Sequence, residues 1–142
     1  MEVGFATKED IEGILVLQPQ VHRAKDTAEN SSKVLESLID VEYCDVLVAK
    51  DGEVVAGSAF IFYHPAPMYG RPYAMLEAMV VDESVRGKGV GSNLMEKVIE
   101  LAGKRRCYKI IFNSGFDREK IHQFYEKIGF KKWGLEFRMD LD

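Results

Sequence analysis

The sequence predicts a mixed α and β domain, on three observations. Runs with apolar residues at helical spacing alternate along the chain with runs rich in β-branched and aromatic residues. A nearly all-apolar run over residues 73–81 sits mid-chain, as a central strand would. Soon after it come three glycines in five residues, Gly87, Gly89 and Gly91, and then a further helical pattern. With 142 residues, 46% of them hydrophobic, the chain is sized for one domain, 1–142, with a real core.

Residues 3–6 read as a short strand. Thr7 is placed to cap a helix over 10–17, with Asp10 as the acid that completes a capping box, and Pro19 closes that segment. Residues 28–39 carry Val34, Leu35, Leu38 and Ile39 as an apolar helical stripe. Residues 43–49 and 54–62 are strand candidates joined by Asp51-Gly52, a hairpin turn signal. Residues 64–72 hold three prolines and one glycine and read as a loop. The central strand over 73–81 follows. The helix after the glycines runs to about residue 102, with Leu94, Val98 and Leu101 on its buried stripe and Gly103 as its C-terminal cap. Residues 108–112 read as a strand, 117–128 as a helix ended by Gly129, and 130–141 as one or two last strands. The order is βααβββαβαβ(β).

Composition excludes several classes. The formal net charge of −4 argues against a nucleic-acid partner, and the basic cluster Lys104-Arg105-Arg106 suits a solvated helix C-terminus. No secretory hydrophobic region opens the sequence, and no apolar run reaches membrane-spanning length, so no membrane partner is expected and a cytoplasmic protein is the default. Cys44 and Cys107 lie far apart in apolar runs and read as small hydrophobes. The three histidines, His22, His64 and His122, have no metal-ligand spacing, and no metal is expected.

A strand, a glycine-rich turn and a helix N-terminus together make an anion site. The first amides of the helix lack internal partners, the helix dipole adds partial positive charge, and small residues let phosphate oxygens come close. Arg86 and Lys88 add formal charge. The simplest ligand is a phosphate or pyrophosphate; a connecting loop with no ligand is the plainer alternative. Two nucleotide motifs fail on spacing. The Walker A loop is missing, and a dinucleotide fingerprint starting at Gly87-x-Gly89 would need a glycine where Ser92 stands.

Arg86-x-x-Gly89-x-Gly91 resembles the Arg/Gln-x-x-Gly-x-Gly/Ala motif of the GNAT N-acetyltransferase superfamily, which grips the pyrophosphate of acetyl-coenzyme A. The opening Phe5-Ala6-Thr7-Lys8-Glu9-Asp10-Ile11 looks like the family's first strand and helix start. His122-Gln123-Phe124-Tyr125-Glu126-Lys127-Ile128-Gly129-Phe130 looks like its last helix and return strand. The resemblance covers essentially the whole chain. It implies a mostly antiparallel, twisted mixed sheet with helices on both faces and a splayed central cleft. It implies acetyl-coenzyme A as co-substrate, held by Met79, Val80 and Val81 through the main chain and by Arg86, Gly87, Lys88, Gly89, Val90, Gly91 and Ser92. Many relatives have an asparagine seven residues before the tyrosine. Here that position is Arg118, and Asn113, with Ser114 beside it, is the candidate substitute.

Acetyl transfer needs a neutral amine and a proton for the leaving thiolate. Glu77 interrupts the apolar central strand, where a carboxylate is costly unless paired or used, and where burial would strengthen it as a base. Alternation puts Met75, Glu77, Met79 and Val81 on one face. By resemblance Glu77 is the base, acting directly, through water, or in binding the ammonium. Paired burial with a cation is the structural alternative. Tyr125, on an apolar helical stripe with Ile121, Phe124 and Ile128, packs like a core residue by pattern alone; by resemblance it is the general acid at the coenzyme sulfur. Glu29, Tyr69 and Arg71 are candidate acceptor contacts from the two expected cleft walls, 18–30 and 64–72. The expected reaction is direct transfer to a primary amine, of a small molecule rather than a protein. A non-catalytic acyl-coenzyme A sensor and a protein N-acetyltransferase are the alternatives. Relatives are commonly dimeric, and the C-terminal strands are the candidate surface for a homodimer.

Overall fold

The computed structural model describes residues 1–22 and 27–142. The chain divides into two compact units, Met1–Ile111 and Phe112–Asp142.

In the first unit the elements are β1 (Glu2–Phe5), a 3-10 turn at Lys8–Asp10, α1 (Ile11–Leu17), α2 (Pro19–His22), α3 (Ser31–Leu38), β2 (Cys44–Asp51), β3 (Val54–Ala66), β4 (Arg71–Val81), α4 (Val90–Lys104) and β5 (Ile110–Ile111). The five strands form one sheet in the order β1-β2-β3-β4-β5. The first four are antiparallel, and β5 runs parallel to β4. The expected mixed, mostly antiparallel sheet is present.

Alternate residues of β2 face helices on opposite sides of the sheet. Cys44, Val46 and Val48 of β2 pack in one cluster with Ile14 and Leu17 of α1 and Leu35 of α3. The intervening Leu47 and Ala49 are equally buried, so β2 is covered on both faces. The second face is that of α4, whose Leu94, Met95 and Val98 are fully buried. Gly57 permits this packing. A Cβ there would stand 3.0 Å from the Val80 carbonyl oxygen, 3.1 Å from Leu94 Cδ1 and 3.4 Å from Val90 Cγ1. The start of α4 therefore rests directly on the backbone of β3.

The capping box forms as expected. The Thr7 N–H donates to Asp10 Oδ2 at 2.9 Å, and Lys50 Nζ of β2 lies 2.9 Å from Asp10 Oδ1. Pro19 does not end the helical region. It opens α2, where its fixed φ and absent N–H are tolerated at the first position.

The expected loop over 64–72 is mostly strand. β3 and β4 pair as far as Pro65↔Pro72 and Ala66↔Arg71, leaving a single 3-10 turn, Pro67–Tyr69 and Gly70, as the connection. The two prolines face each other at the end of the ladder, where their missing donors cost least.

In the second unit, α5 (Glu119–Ile128) is closed by Gly129, whose φ is +123°. The expected strands over 130–141 are not formed among the described residues, and residues 131–142 are all exposed.

Candidate functional site

β4 is interrupted next to Glu77. Phe60 of β3 pairs with Glu77 and Ser58 pairs with Val80, so Ala59 alone faces both Ala78 and Met79. This is a β-bulge, with Ala78 in the left-handed region at φ +50°. A bulge bends its strand and leaves an unpaired residue. It also resets the facing of side chains. Met75, Glu77 and Val80 pair with Phe62, Phe60 and Ser58, alternate residues of β3, and so share one face; Val81, opposite Gly57, lies on the other. The expected common face of Met75, Glu77, Met79 and Val81 is thus corrected by one inserted residue.

On its outer side β4 meets β5 only at Ala74↔Ile110 and Met75↔Ile111. From 76 to 81 that edge has no strand partner among the described residues. Six residues of strand are about 20 Å of main chain open to an extended ligand.

The edge leads into the glycine turn. Asp82 caps a 3-10 turn, Glu83–Val85, by accepting from the Ser84 N–H at 3.2 Å. Gly87 and Gly89 then take φ of +79° and +86°, a conformation that side chains disfavour. Gly89 is the N-cap of α4 and offers no side chain to its first amides, and the first turn of the helix carries no acid. Val90 is buried against the sheet while its N–H begins the helix; Gly91 and Ser92 follow it. Lys88 is exposed and, among the described residues, has no ion-pair partner. Donors, dipole, space and charge coincide here, and these residues fit a pyrophosphate.

Arg86 has a bracing task that its motif did not reveal. Its Nε donates to the Val81 carbonyl at 2.9 Å and its Nη2 to Gln20 Oε1 at 3.1 Å. Gln20 also accepts from the Glu83 N–H at 3.2 Å. A glutamine on α2 therefore holds both ends of the turn. No local pattern signals a partner 66 positions away.

Glu77 is exposed, against the expectation of a buried carboxylate. The bulge and the open edge of β4 put it outside the sheet interior, so the cost-of-burial argument does not apply to it. Its carboxylate has no hydrogen-bond or ion-pair partner among the described residues. Its register partner Phe60 lines a groove of about 300 Å³ with Leu15 and Gln18 at the end of α1 and Asn30, Val34 and Leu38 at α3.

The three acceptor candidates are not brought together. Glu29 is exposed on the approach to α3, beside Asn30 of that groove. Tyr69 stacks on Tyr108 with ring centroids 3.9 Å apart. Arg71 lines a different cavity with Arg105, Tyr43 and Tyr63 at the hairpin end. Arg71 stands six residues along β4 from Glu77, about 20 Å. A small acceptor at Glu77 does not reach it. Residues 23–26 of the expected wall 18–30 lie outside the described residues.

In the second unit, Tyr125 sits among aromatic rings: Phe112 at 4.5 Å, Phe124 at 5.4 Å and Phe130 at 6.3 Å between centroids. Burial raises its pKa, opposed by the charge of Arg118. Its hydroxyl has no hydrogen-bond partner among the described residues. Asn113 is exposed, and Ser114 Oγ pairs with His122 Nε2 at 3.2 Å. The environment of neither cysteine favours a thiolate. Burial, helped by Asp45, pushes the Cys44 thiol up to about 12, and burial raises Cys107. Among the described residues no His/Cys/Asp/Glu cluster could hold a metal ion, and no helix is long and apolar enough to cross a membrane.

An open strand edge thus runs into an uncapped, glycine-opened helix, and residues 11–130 match the acetyltransferase (GNAT) family. The chain belongs to that family. It is 38% identical over 88 residues to glucosamine 6-phosphate N-acetyltransferase of Trypanosoma brucei brucei, a match covering 61% of this chain and 58% of that protein. It is 34% identical over 93 residues to a Bacillus subtilis (strain 168) protein named "Putative phosphinothricin acetyltransferase YwnH", covering 62% of this chain and 54% of that protein. The chain thus spans somewhat more than half the length of these relatives. A crystal structure of a Trypanosoma brucei acetyltransferase superposes with a TM-score of 0.84 at 27% identity, covering 99% of both chains.

Proposed function

We propose that this chain transfers the acetyl group of acetyl-coenzyme A to a small primary amine that carries an anionic phosphorus group. The observation that carries the cofactor half is the continuity of the open β4 edge, 76–81, with the α4 N-terminus. An extended amide-bearing arm ending in a pyrophosphate has the two parts that these two features accept. The edge at Met79, Val80 and Val81 binds the arm through the main chain. The amides and charges of 86–92 hold the pyrophosphate, with Asn113 as a further contact. The acceptor half follows from the relatives, whose names specify glucosamine 6-phosphate and phosphinothricin. Both compounds join an amine to a phosphorus oxyanion. The family match runs through both compact units, which supports one acetyltransferase domain over 1–142.

Acetyl-coenzyme A supplies an activated acyl carbon. The chain does the rest with protons and position. Glu77, directly or through water, takes a proton from the bound ammonium so that nitrogen can attack. As the N–C bond forms and the C–S bond breaks, the Tyr125 hydroxyl gives its proton to sulfur, and the second proton shed by the acylated nitrogen restores the phenol by way of solvent. Direct transfer is supported by the raised Cys44 and Cys107 thiols, which disfavour a covalent acetyl-enzyme. Both cysteines are free, which suits a reducing, cytoplasmic setting.

The test is release of free coenzyme A thiol across an amine panel: glucosamine 6-phosphate, glucosamine, phosphinothricin, polyamines and lysine peptides. Saturable turnover with the phosphorus-bearing amines, at least about tenfold in kcat/KM above their uncharged counterparts, is expected. Turnover of peptides alone would make this a protein acetyltransferase. No turnover with acetyl-coenzyme A still bound would make it a binding module.

A further inference from the structure

The segment 82–89, which joins β4 to α4, has little of its own to keep it in shape. The Asp82 N–H donates to the Ala56 carbonyl at 2.8 Å, and the Val85 N–H to the Asp82 carbonyl at 3.0 Å. Gly87 and Gly89 follow, both at positive φ, where the backbone is least restrained. A side-chain relay spans this stretch. Arg86 Nε reaches back to the Val81 carbonyl, Arg86 Nη2 reaches out to Gln20 Oε1, and the Glu83 N–H donates to that same oxygen. Both partners of Gln20 are donors, so its oxygen faces them and its Nε2 faces away. Two nitrogens of the guanidinium are fixed in this way, and Nη1 has no partner among the described residues. Gln20 is exposed, so these bonds are not a by-product of core packing. Its backbone is nonetheless well anchored. The preceding Gln18 is buried, and Gln18 and Pro19 line the groove beside Phe60.

We infer that Gln20 is a positioning residue that sets the selectivity for a thioester donor bearing a pyrophosphate over one that ends at the pantetheine arm. This rests on the coenzyme reading given above. The two parts of the donor meet two parts of the chain that are built differently. The arm lies along 76–81, which the ladder with β3 orders whatever Gln20 does. The pyrophosphate lies at 86–92, whose amides converge only while the turn keeps its shape. Amides already converged by a clasp need no ordering when the ligand arrives, whereas amides on a loose glycine turn do, and affinity falls by that ordering cost. Gln20 acts on the second part alone, through the Arg86 guanidinium and the Glu83 amide. Any donor that lacks the pyrophosphate is therefore blind to it.

The probes are acetyl-coenzyme A, titrated by calorimetry, and S-acetylpantetheine, measured by its competition, on the full chain and on Gln20→Met. Methionine keeps the length of the side chain and removes the acceptor. Acetyl-coenzyme A affinity should fall about tenfold, the worth of one neutral and one charge-assisted hydrogen bond. S-acetylpantetheine affinity should move by less than about twofold, as for a surface substitution that touches nothing it uses. The preference between the two donors then narrows by most of that tenfold. In an Arg86→Met background, Gln20→Met should cost less than about threefold, because the partner through which it acts is gone. The melting temperature should not move, since the site is exposed. An equal loss for both donors would make Gln20 a residue of general stability and overturn the proposal. Unchanged acetyl-coenzyme A affinity, or the full loss persisting without Arg86, would overturn it as well. A parent chain that fails to bind acetyl-coenzyme A would reject the coenzyme reading itself, and this inference with it, before any variant is compared.

Discussion

Tyr125 is held by rings rather than by hydrogen bonds, and its burial keeps the phenol protonated well past neutral pH, as a proton donor must be. Tyr125→Phe retains the rings and removes the proton. Steady-state kinetics should show kcat falling by about 10²–10⁴. Calorimetry should show acetyl-coenzyme A affinity changed by less than about threefold. Equal losses in both would assign Tyr125 to binding. Glu77 differs in standing free and exposed, so it can meet an incoming ammonium without first breaking a pair. Glu77→Gln should cost about a hundredfold or more in rate near pH 7. The deficit should narrow as pH rises, because the amine then sheds its own proton. A rate unchanged at neutral pH would reject the assignment.

At the scale of elements, two contacts fix where the site is built. Asp10 joins the start of α1 to β2, through the Thr7 amide and Lys50. Burial alone would raise its pKa, but the amide and the ammonium outweigh burial and hold it below the usual carboxylate range. A depressed folded pKa means stability that is fully present above about pH 4 and is lost as pH falls through the lower folded value. Asp10→Asn should cost about 1–3 kcal/mol in urea unfolding at pH 7 and flatten the slope of stability below pH 4. Gly57 fixes the other contact. Gly57→Ala pushes a methyl against the Val80 carbonyl and Leu94 and should destabilise by about 1–3 kcal/mol. Because the same methyl lifts the start of α4, coenzyme A affinity should fall with stability; a stability loss with affinity intact would show that the turn is positioned without this contact.

Across the whole molecule, legibility in the sequence follows the range of the interaction. The capping box, the β-branched run of β2 and the positive-φ glycines follow local rules, and residues within a few positions state them. The mixed, mostly antiparallel character of the sheet was reachable because the resemblance supplied it. What escaped depends on long-range partners or on chemistry with no marker. Ala78 takes a left-handed conformation that alanine does not advertise. Gln20 meets Arg86 from the other end of the first unit's sequence. Three prolines implied a loop where two long strands pair to their tips. Glu77 was legible as a residue out of place, while its exposure was not, because the bulge that sets it free is itself invisible in sequence.

The bulge implies a conflict between durability and use. Without Ala78, the residues Glu77, Met79, Val80 and Val81 would pair one for one with Phe60, Ala59, Ser58 and Gly57, and a regular ladder would close with every other facing kept. The left-handed alanine, worth about 1 kcal/mol of strain, would be gone. A chain lacking Ala78 should therefore melt no lower than its parent, while thiol release collapses because the straightened strand no longer delivers its free edge to the glycine turn. On the proposed function, the residue the fold could best do without is one that the chemistry needs. Selection for heat resistance alone would tend to discard it.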